Sequence, residues 1–149
     1  MSVPLVDKHV LIVDDSEDDI LLLRHVLEAA DVVNPITVLR DGEQALAYLT
    51  GGGQYADRAK HPLPDVLILD LRMPLVDGFE VLQWIKQQSH LSDMLLIVLS
   101  GAKDVWTVAR AYDLGARVFL TKPCTREDVG NLIKTHKEYW MVAESAVAP

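Results

Sequence analysis

Five short apolar runs punctuate the chain, at Val10–Val13, Pro35–Leu39, Val66–Leu69, Leu95–Leu99 and Val118–Leu120. They are rich in Val, Ile and Leu and mostly lack polar alternation, the pattern of strands buried on both faces. The intervening stretches are long enough for the crossover helices that parallel strands require. Helical spacing fills them. Ile20, Leu23, Leu27 and Ala30 mark a first helix, and Glu43 to Thr50 a second, entered by Asp41-Gly42. Phe79, Leu82 and Ile85 mark a third, and Val105, Val108, Ala109 and Tyr112 a fourth. Val129, Leu132, Ile133 and His136 share the face of a fifth, which Trp140 continues. The expected architecture is α/β, a doubly wound five-stranded parallel sheet with a (βα)5 order.

Two segments exceed that minimum. Residues 51–64 form a 14-residue connection with three glycines, two prolines and His61. Connections of that length are uncommon and often functional. Gly51-Gly52-Gly53 is not followed by the Gly-Lys-Ser/Thr of a phosphate loop, so a helix stop and a flexible loop are expected. Residues 139–149 form an apolar, small-residue tail that begins with Tyr139 and Trp140. The division expected is one domain over 1–138 and a tail over 139–149 offering a dimer contact, its Tyr139 and Trp140 either capping the domain's own core or, as preferred, covering a partner subunit.

Composition narrows the classes. The chain has 149 residues, about one domain's worth, and half are hydrophobic, enough for a core without a staple. Fourteen basic against 22 acidic residues give a net charge of −8. That balance argues against nucleic acid or an anionic membrane as the main partner. Cys124 is the single cysteine, so an internal disulfide is excluded and a reducing compartment expected. With no secretory pattern and no apolar run long enough for a membrane span, the expectation is a cytoplasmic domain.

The polar residues that end the apolar runs carry the chemistry. Run one ends at Asp14-Asp15, run three at Asp70, run four at Ser100, and run five at Thr121-Lys122. In an open parallel sheet the carboxyl ends of the strands share one edge, where ligands bind. Three carboxylates, a hydroxyl and an ammonium group are therefore expected to meet. Like charges at that spacing demand a cation, and a small set of hard oxygen donors suits Mg²⁺. A carboxylate beside such a metal can act as a nucleophile toward phosphorus. Asp14, Asp15 and Ser16 are equally good helix caps, whereas Glu17, Asp18 and Asp19 read as a solvated first turn favoured by the helix dipole. Asp41-Gly42 and Asp77-Gly78 read as turns, and the five histidines lack metal-ligand spacing.

Four segments, VLIVDDSEDD (10–19), VLILDLRMPLVDGFEVL (66–82), IVLSGAKD (97–104) and LTKP (120–123), give the chain a resemblance to the receiver domains of two-component response regulators. The resemblance spans about residues 7 to 138 and implies the flavodoxin-like receiver fold. It implies that Asp70 is the phosphoacceptor, that Asp15 binds Mg²⁺ directly, and that Asp14 acts through metal-bound water. It assigns a further ligand to the main-chain carbonyl of Arg72. Ser100 and Lys122 correspond to the residues that meet the phosphoryl group, Phe119 to the aromatic switch, and Lys122-Pro123 to a cis peptide. Arg72 and Ala102 occupy positions that tune dephosphorylation. A domain of this kind assists its own phosphorylation and dephosphorylation but is not otherwise an enzyme.

The loop containing QYAD and the ending EYWMV (138–142) are similar to those of stand-alone regulators of phytochromes. That implies a sensor histidine kinase of phytochrome type as partner, a homodimer, and no effector domain. Two other classes fit the same sequence: an interaction module that works without phosphorylation, and a flavin-binding protein of the same fold type.

Overall fold

The computed structural model describes residues 7–143. Five strands, β1 (Val10–Val13), β2 (Ile36–Leu39), β3 (Val66–Leu69), β4 (Leu95–Ser100) and β5 (Val118–Thr121), alternate with five helices among these residues. The helices are α1 (Glu17–Ala29), α2 (Gly42–Thr50), α3 (Gly78–Lys86), α4 (Val105–Asp113) and α5 (Arg126–Thr135). All strand pairs are parallel and the spatial order is β2-β1-β3-β4-β5. The pleat divides the apolar runs between two cores. Leu11, Val13, Leu67, Leu69, Leu96 and Val98 meet α2, α3 and α4, while Val10, Ile12, Val66, Ile68, Leu95 and Ile97 meet α1 and α5. Burial on both faces explains why these runs show no alternation.

Each helix starts on a side chain that accepts a hydrogen bond from the amide three residues on. The caps are Ser16, Asp41, Asp77, Asp104 and Thr125. The Asp-Gly pairs are thus more than turns: the aspartate caps and the glycine opens the helix. A β-carbon on Gly78 would lie 2.5 Å from the Asp70 carbonyl oxygen, and one on Gly42 would lie 2.1 Å from that of Val76. Both approaches admit only glycine.

Three expectations need correction. The face of α4 is rotated: Thr107 and Ala111 are buried, while Val105 and Tyr112 are exposed. Thr107 is cheap to bury because its hydroxyl donates to Asp104 at 2.8 Å. Helix α5 stops at Thr135, and a 3-10 turn at Lys137–Tyr139 brings Trp140 into the domain's own α1/α5 core, where it is 7% exposed. Trp140 therefore caps its own subunit instead of covering a partner. The chain beyond it pairs with residues 31–34. The Val33 amide donates to the Met141 carbonyl at 2.7 Å and the Ala143 amide to the Asp31 carbonyl at 2.8 Å. Buried Asn34 donates to the Tyr139 and Lys8 carbonyls, both at 2.9 Å, so it ties both ends of the domain together. Residues 144–149 of the predicted tail lie outside the described residues.

The 51–64 connection is held, not flexible. Gly51 ends α2 with φ of 77°, a left-handed position that favours glycine. The Arg58 guanidinium then donates to the carbonyls of Tyr48 (2.8 Å), Leu49 (3.0 Å) and His61 (3.1 Å). A cation at the last carbonyls of a helix satisfies groups that have no partner within it. Tyr48, Tyr55 and His61 pack their rings beside it with centroids 5.1–5.9 Å apart. Arg58→Ala is expected to lower stability by about 2 kcal/mol, the scale of lost hydrogen bonds from a charged donor. Urea unfolding would measure this, and an unchanged midpoint would contradict the tether.

Candidate functional site

Strand register builds the site. Val13 pairs with both Leu39 and Leu69, and Ser100 pairs with Thr121. One residue past these pairs the ladder continues: the Asp14 amide donates to the Leu39 carbonyl (3.0 Å), Asp70 to Val13 (2.9 Å), and Lys122 to Ser100 (2.8 Å). Residues far apart in sequence therefore leave the sheet at one level and on one edge.

Asp14, Asp15 and Asp70 each offer a carboxylate oxygen within 4.8 Å of the others. Asp14 and Asp70 are buried and Asp15 is exposed toward the crevice. Asp14 accepts from the Ser16 amide at 2.9 Å, so Ser16 takes the capping role and leaves the two aspartates to the site. Three hard oxygen donors clustered in this way fit a divalent cation that keeps waters in its remaining positions. Arg72 is two residues beyond Asp70, its amide donating to Asp70 at 3.3 Å.

Lys122 Nζ is the cation already present. It lies 2.8 Å from Asp14 and 3.5 Å from Asp70. It is also 2.7 Å from Asp19, whose carboxylate the sequence reading left in solvent. The signal was available: Asp19, Leu23 and Val26 lie on one stripe, and the last two are buried. Burial alone would lower the Lys122 ammonium, but bonds to Asp14 and Asp19 outweigh it and raise it above the ordinary value. Burial pushes the Asp70 carboxyl up to about 6; Lys122 opposes the shift and Asp14 adds to it.

Ser100 is fully buried and its hydroxyl oxygen accepts from the Ala102 amide at 3.1 Å. That leaves its proton free to donate. Phe119 is half-buried against the α2–α4 core, and its amide donates to the Tyr112 hydroxyl at 3.2 Å. The Lys122-Pro123 peptide is cis. Beside the carboxylates opens a cleft of about 510 Å³ lined by residues including Arg72, Ala102, Phe79 and Trp106. Trp106 is 65% exposed. Its ring meets Phe79 edge-on at 6.2 Å, and the Arg110 guanidinium lies 4.3 Å over Phe79. Helical spacing alone does not join residues of α3 and α4 in this way.

An acidic crevice at the carboxyl edge of a doubly wound parallel sheet, with a lysine beside a buried carboxylate, defines a class of α/β domain whose chemistry sits at the strand ends. The chain belongs to the response regulator receiver domain family, whose profile matches residues 10–134. Over 134 residues it is 32% identical to the response regulator Rcp1 of Synechocystis, covering 90% of this chain and 89% of that protein. Among solved structures it is similar to the bacteriophytochrome response regulator AtBRR, with TM-score 0.81, 32% identity, and coverage of 95% of this chain and all of the other. It is also similar to the Mn(2+)-bound form of Rcp1, with TM-score 0.73, 31% identity, and coverage of 95% and 99%. The fold anticipated from the strand pattern is the receiver fold. Among the described residues no helix is long and apolar enough to cross a membrane.

Two outcomes follow from the ionisation of Asp70 and of the buried Cys124. The native protein retains a proton on Asp70 between the ordinary 3.8 and about 6, where the unfolded chain has lost it. Stability without metal therefore falls as pH rises through that window. Asp70→Asn in chelator is expected to melt several degrees above wild type at pH 7.5, because a rise from 3.8 to about 6 corresponds to about 3 kcal/mol and each kcal/mol moves the midpoint about 2 to 4 °C at this size. The two should converge at pH 4; a constant difference would contradict the assignment. Burial, with a smaller contribution from Asp128, pushes the Cys124 thiol up to about 12. Native protein should thus react with a disulfide reagent at least about tenfold more slowly than urea-unfolded protein.

Proposed function

We propose that this chain is a response regulator receiver domain that accepts a phosphoryl group on Asp70 and signals by protein contact or phosphorelay. The observation that carries the reading is Asp70 itself, buried at a strand end with Lys122 beside it and two further carboxylates close enough to share a cation. The donor is the phosphohistidine of a sensor histidine kinase. The likeness to AtBRR, a bacteriophytochrome response regulator, favours a kinase of phytochrome type. The reading places the protein in the cytoplasm.

In the transfer, a carboxylate oxygen of Asp70 attacks phosphorus as the P–N bond of the donor breaks. The imidazole leaves with the bonding pair, and an acyl phosphate forms. Asp14, Asp15, Asp70 and the main-chain carbonyl of Arg72 are the groups that would hold Mg²⁺, which when bound offsets the negative charge gathered on the phosphoryl oxygens. Lys122 pairs with one phosphoryl oxygen, and the Ser100 hydroxyl donates to another. Movement of Ser100 vacates space that Phe119 fills from its half-buried position. The surface of α4, β5 and α5 changes with it. Carrying the population from mostly off to mostly on requires contacts that differ by about 5.5 kcal/mol between the states.

Homodimerisation is part of this reading, and exposed Val33 and Val142, one on each of the two segments that pair there, offer apolar surface to a second copy. Treatment with acetyl phosphate and Mg²⁺ should add one phosphoryl group, seen as an intact-mass increase and a phosphate-affinity gel shift. Asp70→Asn or excess chelator should abolish both. Labelling that persists in Asp70→Asn would remove Asp70 as the acceptor. No response to acetyl phosphate or beryllofluoride would favour the phosphorylation-independent module. Light scattering should return twice the monomer mass.

A further inference from the structure

Lys122 has three ammonium protons and sits off-centre among its acceptors. Asp19 and Asp14 hold it at 2.7 and 2.8 Å, whereas Asp70 is 3.5 Å away, beyond a good hydrogen bond. The ammonium is thereby drawn toward the start of α1 and away from the acceptor carboxylate. Asp14 is part of the oxygen cluster and has that second task. Asp19 is not in the cluster, and its carboxylate is anchored from the first turn of α1, whose Ser16 cap bonds the Asp19 amide. The Asp19 side chain is one-third exposed and that of Lys122 is 16% exposed. Screening of this pair is therefore partial, and its strength exceeds that of a fully solvated bridge.

We propose that Asp19 is a positioning residue that restrains Lys122 in the unphosphorylated protein and so sets how readily the lysine reaches a phosphoryl group on Asp70. The inference rests on Asp70 being the phosphoacceptor. A phosphoryl group attached to Asp70 must draw the ammonium from the Asp19 side, and part of its attraction is spent on breaking that bridge. The restraint holds the resting state against weak or passing anions. It also lowers the affinity of the site for any phosphoryl analogue by the strength of the Asp19 contact.

Beryllofluoride affinity at saturating Mg²⁺, followed by intrinsic tryptophan fluorescence, tests this. Asp19→Asn should bind about 3- to 10-fold more tightly than wild type, the range expected when a partly exposed ion pair no longer competes. Asp19→Glu, which keeps a carboxylate within reach, should stay within twofold of wild type. Asp18→Asn makes the same change in net charge from an exposed neighbouring position, and it too should stay within twofold. A second readout needs neither metal nor phosphate. In metal-free protein labelled with ¹⁵N-lysine, the Lys122 ammonium resonance should be visible and slow to exchange in wild type, and broadened in Asp19→Asn.

Equal or weaker binding by Asp19→Asn would overturn the restraint. An equal gain in Asp18→Asn would assign the effect to net charge and overturn it as well. An ammonium resonance unchanged by Asp19→Asn would also overturn it. Failure of the wild-type protein to bind beryllofluoride would instead strike at Asp70 as phosphoacceptor and remove the basis of the inference.

Discussion

Everything at the functional edge depends on one ammonium group standing among three carboxylates. Two like charges about 4 Å apart cost roughly 4 kcal/mol at an effective dielectric near 20, and Asp14, Asp15 and Asp70 lie within 4.8 Å of one another, with Asp19 joined to them through Lys122. Lys122 answers part of that repulsion by touching Asp14 and Asp19 and lying near Asp70. Burial still raises the Asp70 carboxyl, and Lys122 offsets that only in part. A site left short of positive charge and open to solvent on its Asp15 side is suited to taking up a divalent cation. The same shortage makes the crevice sensitive to any change in the charge carried by Asp70.

The fold supplies the rigidity that such a balance needs. β1 and β3 are buried on both faces and flanked by neighbours on both edges, so the ends from which Asp14 and Asp70 project cannot drift apart. β5, which carries Lys122, is an edge strand and only half-buried. Its amide at Phe119 is satisfied from outside the sheet, by the Tyr112 hydroxyl of α4. The fixed carboxylates thus sit on the inner strands, while the lysine and the aromatic residue sit on the strand with more freedom. That division suits a domain whose chemistry stays in place while one face changes shape.

Much of this was legible along the chain. The apolar runs without alternation announced a sheet covered on both sides, and the polar residue closing each run announced the edge where they meet. What spacing misplaced has a common cause. On α4 the buried positions are Thr107 and Ala111, a capped hydroxyl and a small side chain, which hydrophobicity does not mark as core. Arg58 gives no sign in sequence that it folds back onto the end of α2, and Trp140 gives none that a 3-10 turn returns it to its own core. Each is a long-range closure, set by the path of the backbone and not by the residues next to it.

Asp19 shows the boundary most clearly. The sequence by itself determined the strand pattern, the family and the carboxylates at the strand ends, because burial and backbone direction repeat at periods a single chain displays. Only the tertiary structure decided that Asp19 belongs to the site. Its partner is 103 residues away, and local charge patterning reports the helix dipole before it reports an ammonium group delivered by another strand. The acid that follows β1 is therefore divided by geometry: Asp14, Asp15 and Asp19 face the crevice, while Glu17 pairs with Arg40 on the surface.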